Sequence, residues 1–196
     1  MIATFPSKHY DIEQYPAVKQ HLLSFGKERL EQSGKEYLIN GEKVKARKKT
    51  NNQWFETQDS ISYWDCFQQP KIVWKRVGSI LRFSYDKAGL LSLDSTCFAV
   101  GKNIEFICCV LNSPMGHFLL KDAPQTGTGD LLVSVQAVEP LMLPNISDED
   151  NIYFAEKIGC LSQMADNNLE QEVTERVFDL YDLSAEERDY IRSNYY

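Results

Sequence analysis

Three short segments rich in β-branched and aromatic residues, at 71–74, 81–85 and 96–100, recur along the middle of this chain. They lie about ten residues apart, a spacing typical of antiparallel strands joined by turns. Each is too short for a helix, and turn-forming stretches separate them: Gly78-Ser79 and Asp86-Lys87-Ala88-Gly89. An apolar stretch at 103–120 follows directly. It places Ile104, Ile107, Cys108, Leu111 and Met115 at helical spacing. A small sheet needs something to cover its apolar face, and this helix is the nearest candidate. The pattern predicts an α+β fold with an antiparallel or mixed β-sheet, read as an antiparallel meander, packed by helices. Pro114 is expected to break or kink the covering helix, because proline lacks an amide hydrogen and clashes with the preceding turn.

The flanks are simpler. Residues 15–32 read as an amphipathic helix with Val18, Leu22, Phe25 and Leu30 on one side. Lys19, Lys27, Glu28 and Glu31 lie between them. Pro16 suits its first turn, and Ser33-Gly34 ends it. Residues 37–53 are polar and basic, a loop or a weak hairpin around Asn40-Gly41. After the apolar helix, 122–130 form a loop containing Gln125-Thr126-Gly127-Thr128-Gly129. A further strand is read at 131–135, and Leu141-Met142-Leu143-Pro144 closes the mixed region. The remainder is helical. Ser147 caps a helix reaching about Met164, with Asp148, Glu149 and Asp150 at its positive N-terminal end. A second helix at 169–181 aligns Leu169, Val173, Val177 and Leu180. Ser184-Ala185-Glu186-Glu187 fits a capping box before the last helix. The expected organisation is one α+β domain over 1–146 and a C-terminal helical segment over 147–196, packed on it or docking a partner.

Charge is distributed unevenly. The formal net charge is -7, yet residues 150–196 hold eleven acidic and four basic side chains, so the preceding residues balance to zero. Residues 40–87 carry ten basic and five acidic side chains. A local positive surface attracts a polyanion whatever the total charge. Lys45, Arg47, Lys48 and Lys49 form the densest cluster, either a solvated loop or a phosphate clamp. Lys71 and Lys75 flank a strand and are further candidates for phosphate contact. Asn52, Arg76 and Arg82 are candidates for base reading. An amide pairs with adenine N6 and N7, and a guanidinium with guanine O6 and N7. Thr126 lies in a small polar loop able to enter a groove.

Catalytic patterns are missing. The chain has no P-loop, HExxH or GxSxG. His9, His21 and His117 lack metal-type spacing, and the carboxylates do not cluster with a lysine as a metal-dependent nuclease would need. No catalytic residue, metal or cofactor is expected in this chain. The five cysteines, odd in number and without a CxxC pair, read as reduced thiols of a cytoplasmic protein. No apolar run approaches the ~20 residues of a membrane span, and residues 1–9 carry no signal-peptide pattern. The residues alone leave two classes open: a DNA-reading module, or a protein–protein adaptor that uses its acidic C-terminal helices.

A series of motifs favours the first. Tyr15-Pro16 through Leu22 resembles an opening "YP…HL" helix, Trp54-Phe55-Glu56 a "W-aromatic-E" step, and Pro70-Lys71-Ile72-Val73 a "pKI" strand. Phe83-Ser84-Tyr85-Asp86 and Ser95-Thr96-Cys97-Phe98 look like the two strands after it. Leu111-Asn112-Ser113 ends a segment similar to a "yllalLNS" helix, and Leu141 to Pro144 resembles an "lpiP" ending. Val177-Phe178-Asp179-Leu180-Tyr181-Asp182-Leu183-Ser184 resembles a closing "VyeLYgLt". In this order they resemble the TaqI-like C-terminal specificity domain, the target recognition domain of restriction–modification DNA methyltransferases, including those fused to an endonuclease. Two departures stand out: Phe55 where tyrosine is common, and the strongly acidic tail. The resemblance implies recognition of double-stranded DNA on behalf of a methyltransferase or endonuclease domain, in cis or in trans. It also implies that adenine-N6 methylation and its cofactor, S-adenosylmethionine, belong to a separate catalytic domain with an Asn-Pro-Pro-aromatic motif. Asn112-Ser113-Pro114-Met115 lacks the second proline and the aromatic that would stack on an extruded base. The chain by itself is therefore expected to be catalytically silent.

Overall fold

A computed structural model describes residues 2–59 and 61–195. It divides into two compact units, Met1–Trp64 and Asp65–Tyr196.

In the first unit, α1 (Pro16–Leu23) and α2 (Lys27–Leu30) replace the single expected helix. The chain leaves helical geometry at Gly26, where φ is 87°. The apolar stripe anticipated over 15–32 does not form: no residue of α1 is buried, and Phe25 is 54% exposed. Strands β1 (Glu36–Ile39) and β2 (Glu42–Lys45) form a hairpin around Asn40-Gly41, the second of the two forms, loop or hairpin, expected there. Both turn residues have positive φ, 52° and 85°. That matches a two-residue type I′ turn, whose twist suits the flanking strands and which Asn-Gly adopts readily. Two backbone bonds of 2.9 Å, Ala46 N to Lys35 O and Gly34 N to Arg47 O, continue the pairing beyond the hairpin.

Few apolar side chains fill this unit: Phe5, Ile12, Ala46 and Phe55 are buried. A polar network complements them. The buried Gln32 amide donates to the carbonyls of Gln53 (3.0 Å) and Glu56 (2.9 Å), and accepts from the Thr50 hydroxyl (2.7 Å). A buried amide is tolerable only when its donors and acceptor find partners, which these bonds supply.

In the second unit, β3 (Lys71–Lys75), β4 (Val77–Gly78), β5 (Phe83–Asp86) and β6 (Thr96–Val100) are the expected strands plus one short addition. The three longer ones form a sheet of order β5-β3-β6, antiparallel throughout. It is not a meander, because β3 lies in the centre. The cause is legible in β3, where Lys71, Ile72 and Trp74 are all buried. A strand so buried needs hydrogen-bonding partners on both edges.

The covering helix forms as anticipated, with its break at the proline. It comprises α3 (Ile104–Asn112) and α4 (Pro114–Leu119), with Ser113 capping the second by accepting from Gly116 N at 3.4 Å. The strand anticipated over 131–135 shrinks to β7 (Leu131–Leu132), which pairs with β4. A single turn, α5 (Val135–Val138), follows, and then α6 (Asp148–Leu161), α7 (Asn167–Leu180) and α8 (Ala185–Tyr195). Ser147 and Asp150 form a reciprocal capping box on α6, and Ser184 with Glu187 does the same for α8. One apolar cluster joins Ile72, Trp74 and Phe83 of the sheet to Phe106 and Leu111 of α3, Phe154 of α6 and Phe178 of α7. The fold is α+β.

Candidate nucleic-acid interface

The basic cluster of the first unit separates into two kinds of side chain. Lys45, Lys48 and Lys49 are exposed, as is Lys43 on the hairpin. Lys45 ends β2, opposite Glu36. Arg47 is different. Its guanidinium donates to the carbonyls of Leu30 (2.6 and 2.8 Å), Trp54 (2.6 Å) and Glu56 (3.0 Å). Burial lowers its pKa, against the opposing pull of Glu31. Arg47 is thus the central staple of its unit, and its donors are not available to a phosphate as the sequence suggested. Asn52 is likewise engaged: its amide nitrogen donates to the carbonyls of Thr57 (3.0 Å) and Gln58 (3.2 Å).

In the second unit the antiparallel register sorts the remaining candidates to opposite ends of the sheet. Lys71 pairs with Asp86 and with Val100 at one end. Its side chain is fully buried, forms an ion pair with Asp86 and donates to Phe67 O at 2.9 Å. The proposal of Lys71 as a phosphate contact is corrected by this placement, since no phosphate reaches an amine with no exposed surface. Burial alone would raise the pKa of Asp86. The Lys71 bond, with backbone N–H donors from Ala88 and Leu90, outweighs it and holds the carboxyl below its usual range.

The other end gathers exposed cations. Lys75 closes β3 opposite Thr96, Arg76 follows it, and Arg82 directly precedes β5; all three are exposed. The backbone of Arg76 is fixed on both sides, its N–H donating to Ser95 O (3.1 Å) and its carbonyl accepting from Val133 N (2.9 Å). The β4–β7 pairing, with a bridge from Gln125 to Leu131, brings the 125–130 turn to the same end. Within that turn the half-buried Thr126 accepts from Asp130 N at 3.1 Å and meets the Thr128 hydroxyl at 2.8 Å. Gln125 and Thr128 are more exposed than Thr126. They are the polar groups of this turn that sequence reasoning passed over, since nothing in a Gly-Thr repeat tells which threonine turns inward.

Among the described residues of 147–196 no comparable site for a phosphate is found. Their four cations all bind acids within the unit: Lys157 with Glu172 (2.8 Å), Arg176 with Asp150 (2.5 Å), Arg188 with Asp179 (2.8 Å) and Arg192 with Glu175. The same stretch holds thirteen acidic side chains against those four cations. A cavity of about 380 Å³ on this face is lined by Glu149, Asp150, Glu172, Glu175 and Asp179, with Tyr153 and Arg176.

The family model of the TaqI-like C-terminal specificity domain matches residues 9–133. The chain belongs to this family. No curated protein matches it. The match to the TaqI-like specificity domain spans the hairpin, the three-stranded sheet, α3, α4 and β7, and so includes both groups of exposed cations. Specificity domains of this kind serve target recognition in restriction–modification systems and are not themselves catalytic. The motifs that carried the resemblance have structural work in this member. In Trp54-Phe55-Glu56, the Trp54 and Glu56 carbonyls receive Arg47, and the Glu56 carboxylate accepts from Gln53 N at 2.7 Å. The Asn112 amide binds the backbone of Phe83 in both directions, accepting from its N–H (3.0 Å) and donating to its carbonyl (2.7 Å). It therefore clips α3 onto the first residue of β5. Among the described residues, no cluster of His, Cys, Asp and Glu is placed to hold a metal ion, and no helix is long and apolar enough to cross a membrane.

Proposed function

We propose that this chain reads the sequence of double-stranded DNA for a site-specific adenine-N6 methyltransferase, either alone or fused to an endonuclease. The catalytic domain is supplied in cis or in trans, and S-adenosylmethionine belongs to it. The observation that carries this reading is the specificity-domain match over residues 9–133. Lys45, Lys48, Lys49 and Lys75 are the phosphate contacts, because they are exposed and charged on the matched part of the chain. Arg76 and Arg82 read bases together with the 125–130 turn, where Gln125 and Thr128 join Thr126. Arg47, Asn52 and Lys71 act indirectly by holding the framework.

The test is a titration of duplex DNA at two salt concentrations with the full chain. Replacing Lys45, Lys48 and Lys49 with alanine should weaken all sequences alike. It should reduce the salt slope by about one for each lysine on a phosphate. Replacing Arg82 should cost about 1–3 kcal/mol on the cognate site only. A second reading rests on the surplus acid of residues 147–196, which would dock a basic protein partner. If the triple replacement leaves affinity and salt slope unchanged, that adaptor reading takes precedence.

A further inference from the structure

We propose that Ile80 is a wedge that enters duplex DNA between two base pairs while Lys75, Arg76 and Arg82 hold the phosphates beside it. The inference rests on the DNA-recognition reading and adds a distortion of the duplex to it.

Ile80 is 66% exposed. A single exposed aliphatic side chain is common on any protein, so exposure alone means little. Its mounting gives it meaning. The 79–82 connection is short and pinned at both ends. Before it, Val77 and Gly78 pair with Leu132 and Leu131; after it, Phe83 N–H donates to the Asn112 side chain. Within it, Leu81 packs against the core. The neighbouring Ile80 is therefore carried outward on a fixed backbone, and its β-branched side chain is stiff about χ1.

The surroundings select the partner. Arg76 and Arg82 flank Ile80 in sequence, and both are exposed. Lys75 is close in space: a Cβ placed on Gly78 would lie 3.9 Å from Lys75 Cδ and 3.6 Å from Ile80 O. The connection, Ser79-Ile80-Leu81-Arg82, contains no acid. Leu93 at the same end of the sheet is also exposed, yet Asp94 follows it and would repel a phosphate. An apolar tip among cations matches a duplex, with stacked bases between two rows of phosphates. Aliphatic wedges of this kind unstack one step and kink DNA by about 20–90°, and the added contacts offset the unstacking.

Selection of duplexes from a random-sequence pool with the full chain supplies the probe. The selected duplex then carries a fluorescent adenine analogue at successive positions and a donor–acceptor pair at its ends. The native chain should brighten the analogue at one step and shorten the end-to-end distance. Ile80→Ser should abolish both signals and weaken the selected duplex about tenfold, leaving a scrambled duplex unaffected. Ile80→Met should retain the signals. Ile152→Ser, which removes a 61% exposed side chain from α6, should change nothing. Selective binding without brightening, or brightening that survives Ile80→Ser, overturns the wedge and leaves DNA recognition standing. Failure of the pool to enrich overturns both.

Discussion

Lysine and arginine side chains serve three different ends in this chain, and the surroundings of each decide which. Lys71 has no exposed surface and faces Asp86. Removing one member of a buried ion pair leaves the other charge uncompensated. Lys71→Met should therefore cost about 3–5 kcal/mol, read as a shift in the urea midpoint. Replacing Asp86 as well, by asparagine, which removes the charge and still offers an acceptor to the Ala88 and Leu90 N–H groups, should recover much of that loss; a double-mutant cycle showing simple additivity would contradict the pairing. Arg47 binds three carbonyls with one planar fork. Arg47→Lys keeps the charge and loses the fork. It should lower stability by about 2–4 kcal/mol while leaving the salt slope of DNA binding as it was. Lys48 and Lys49 should show the reverse, a changed slope at constant stability. Sequence could not separate these roles. The run Lys45-Ala46-Arg47-Lys48-Lys49 shows charge, but only the buried Ala46 and the carbonyls of distant residues turn Arg47 inward.

The elements repeat the same lesson at larger distances. The turn at Asn40-Gly41, the broken helix at Pro114, the Ser147 cap and the Ser184–Glu187 capping box were legible, because each depends on residues that are neighbours in sequence. The single helix over 15–32 was not. Its periodicity ignored the backbone at Gly26, and no core lies under α1 to hold the stripe. The order β5-β3-β6 also escaped, since strand spacing says nothing about which strand lies in the centre. Contacts between α3 and its neighbours give the sharpest tests. A Cβ on Gly116 would lie 2.3 Å from Val110 O and 2.6 Å from Leu111 Cα, both backbone atoms that cannot swing away. Gly116→Ala should thus force α3 and α4 apart and cost about 1–3 kcal/mol, seen in the thermal midpoint. Asn112→Ala leaves the buried Phe83 with an unpaired N–H and with only the Cys108 thiol, at 3.5 Å, on its carbonyl. It should cost about 1–3 kcal/mol and speed hydrogen exchange along β5 first.

For the whole molecule, the acid side of the pH scale is informative. Asp150 is held below the usual carboxylate range by the Ser147 hydroxyl and Arg176, and Asp86 by Lys71 and two backbone donors. A depressed folded-state pKa contributes stability above the unfolded value, about 3.9 for aspartate. That contribution is lost as pH falls through the folded value. Urea unfolding should therefore give near-constant stability above about pH 5 and a steep fall below about pH 4. Asp150→Asn should flatten that fall. The uneven charge was fully legible in the sequence. The internal pairing of all four cations in residues 147–196 was not, because Arg176 meets Asp150 across 26 positions. The register of the three-stranded sheet carries one more consequence. Its anchoring pair, Lys71 and Asp86, lies at the end away from Lys75, Arg82 and the 125–130 turn. The exposed positions 79, 80, 82, 125, 127 and 128 can thus be randomised as a library while Leu81, Thr126 and Asp130 keep their framework contacts. Clones with new target preferences should melt with the parent, so that evolving a new recognition sequence need not begin by repairing the fold.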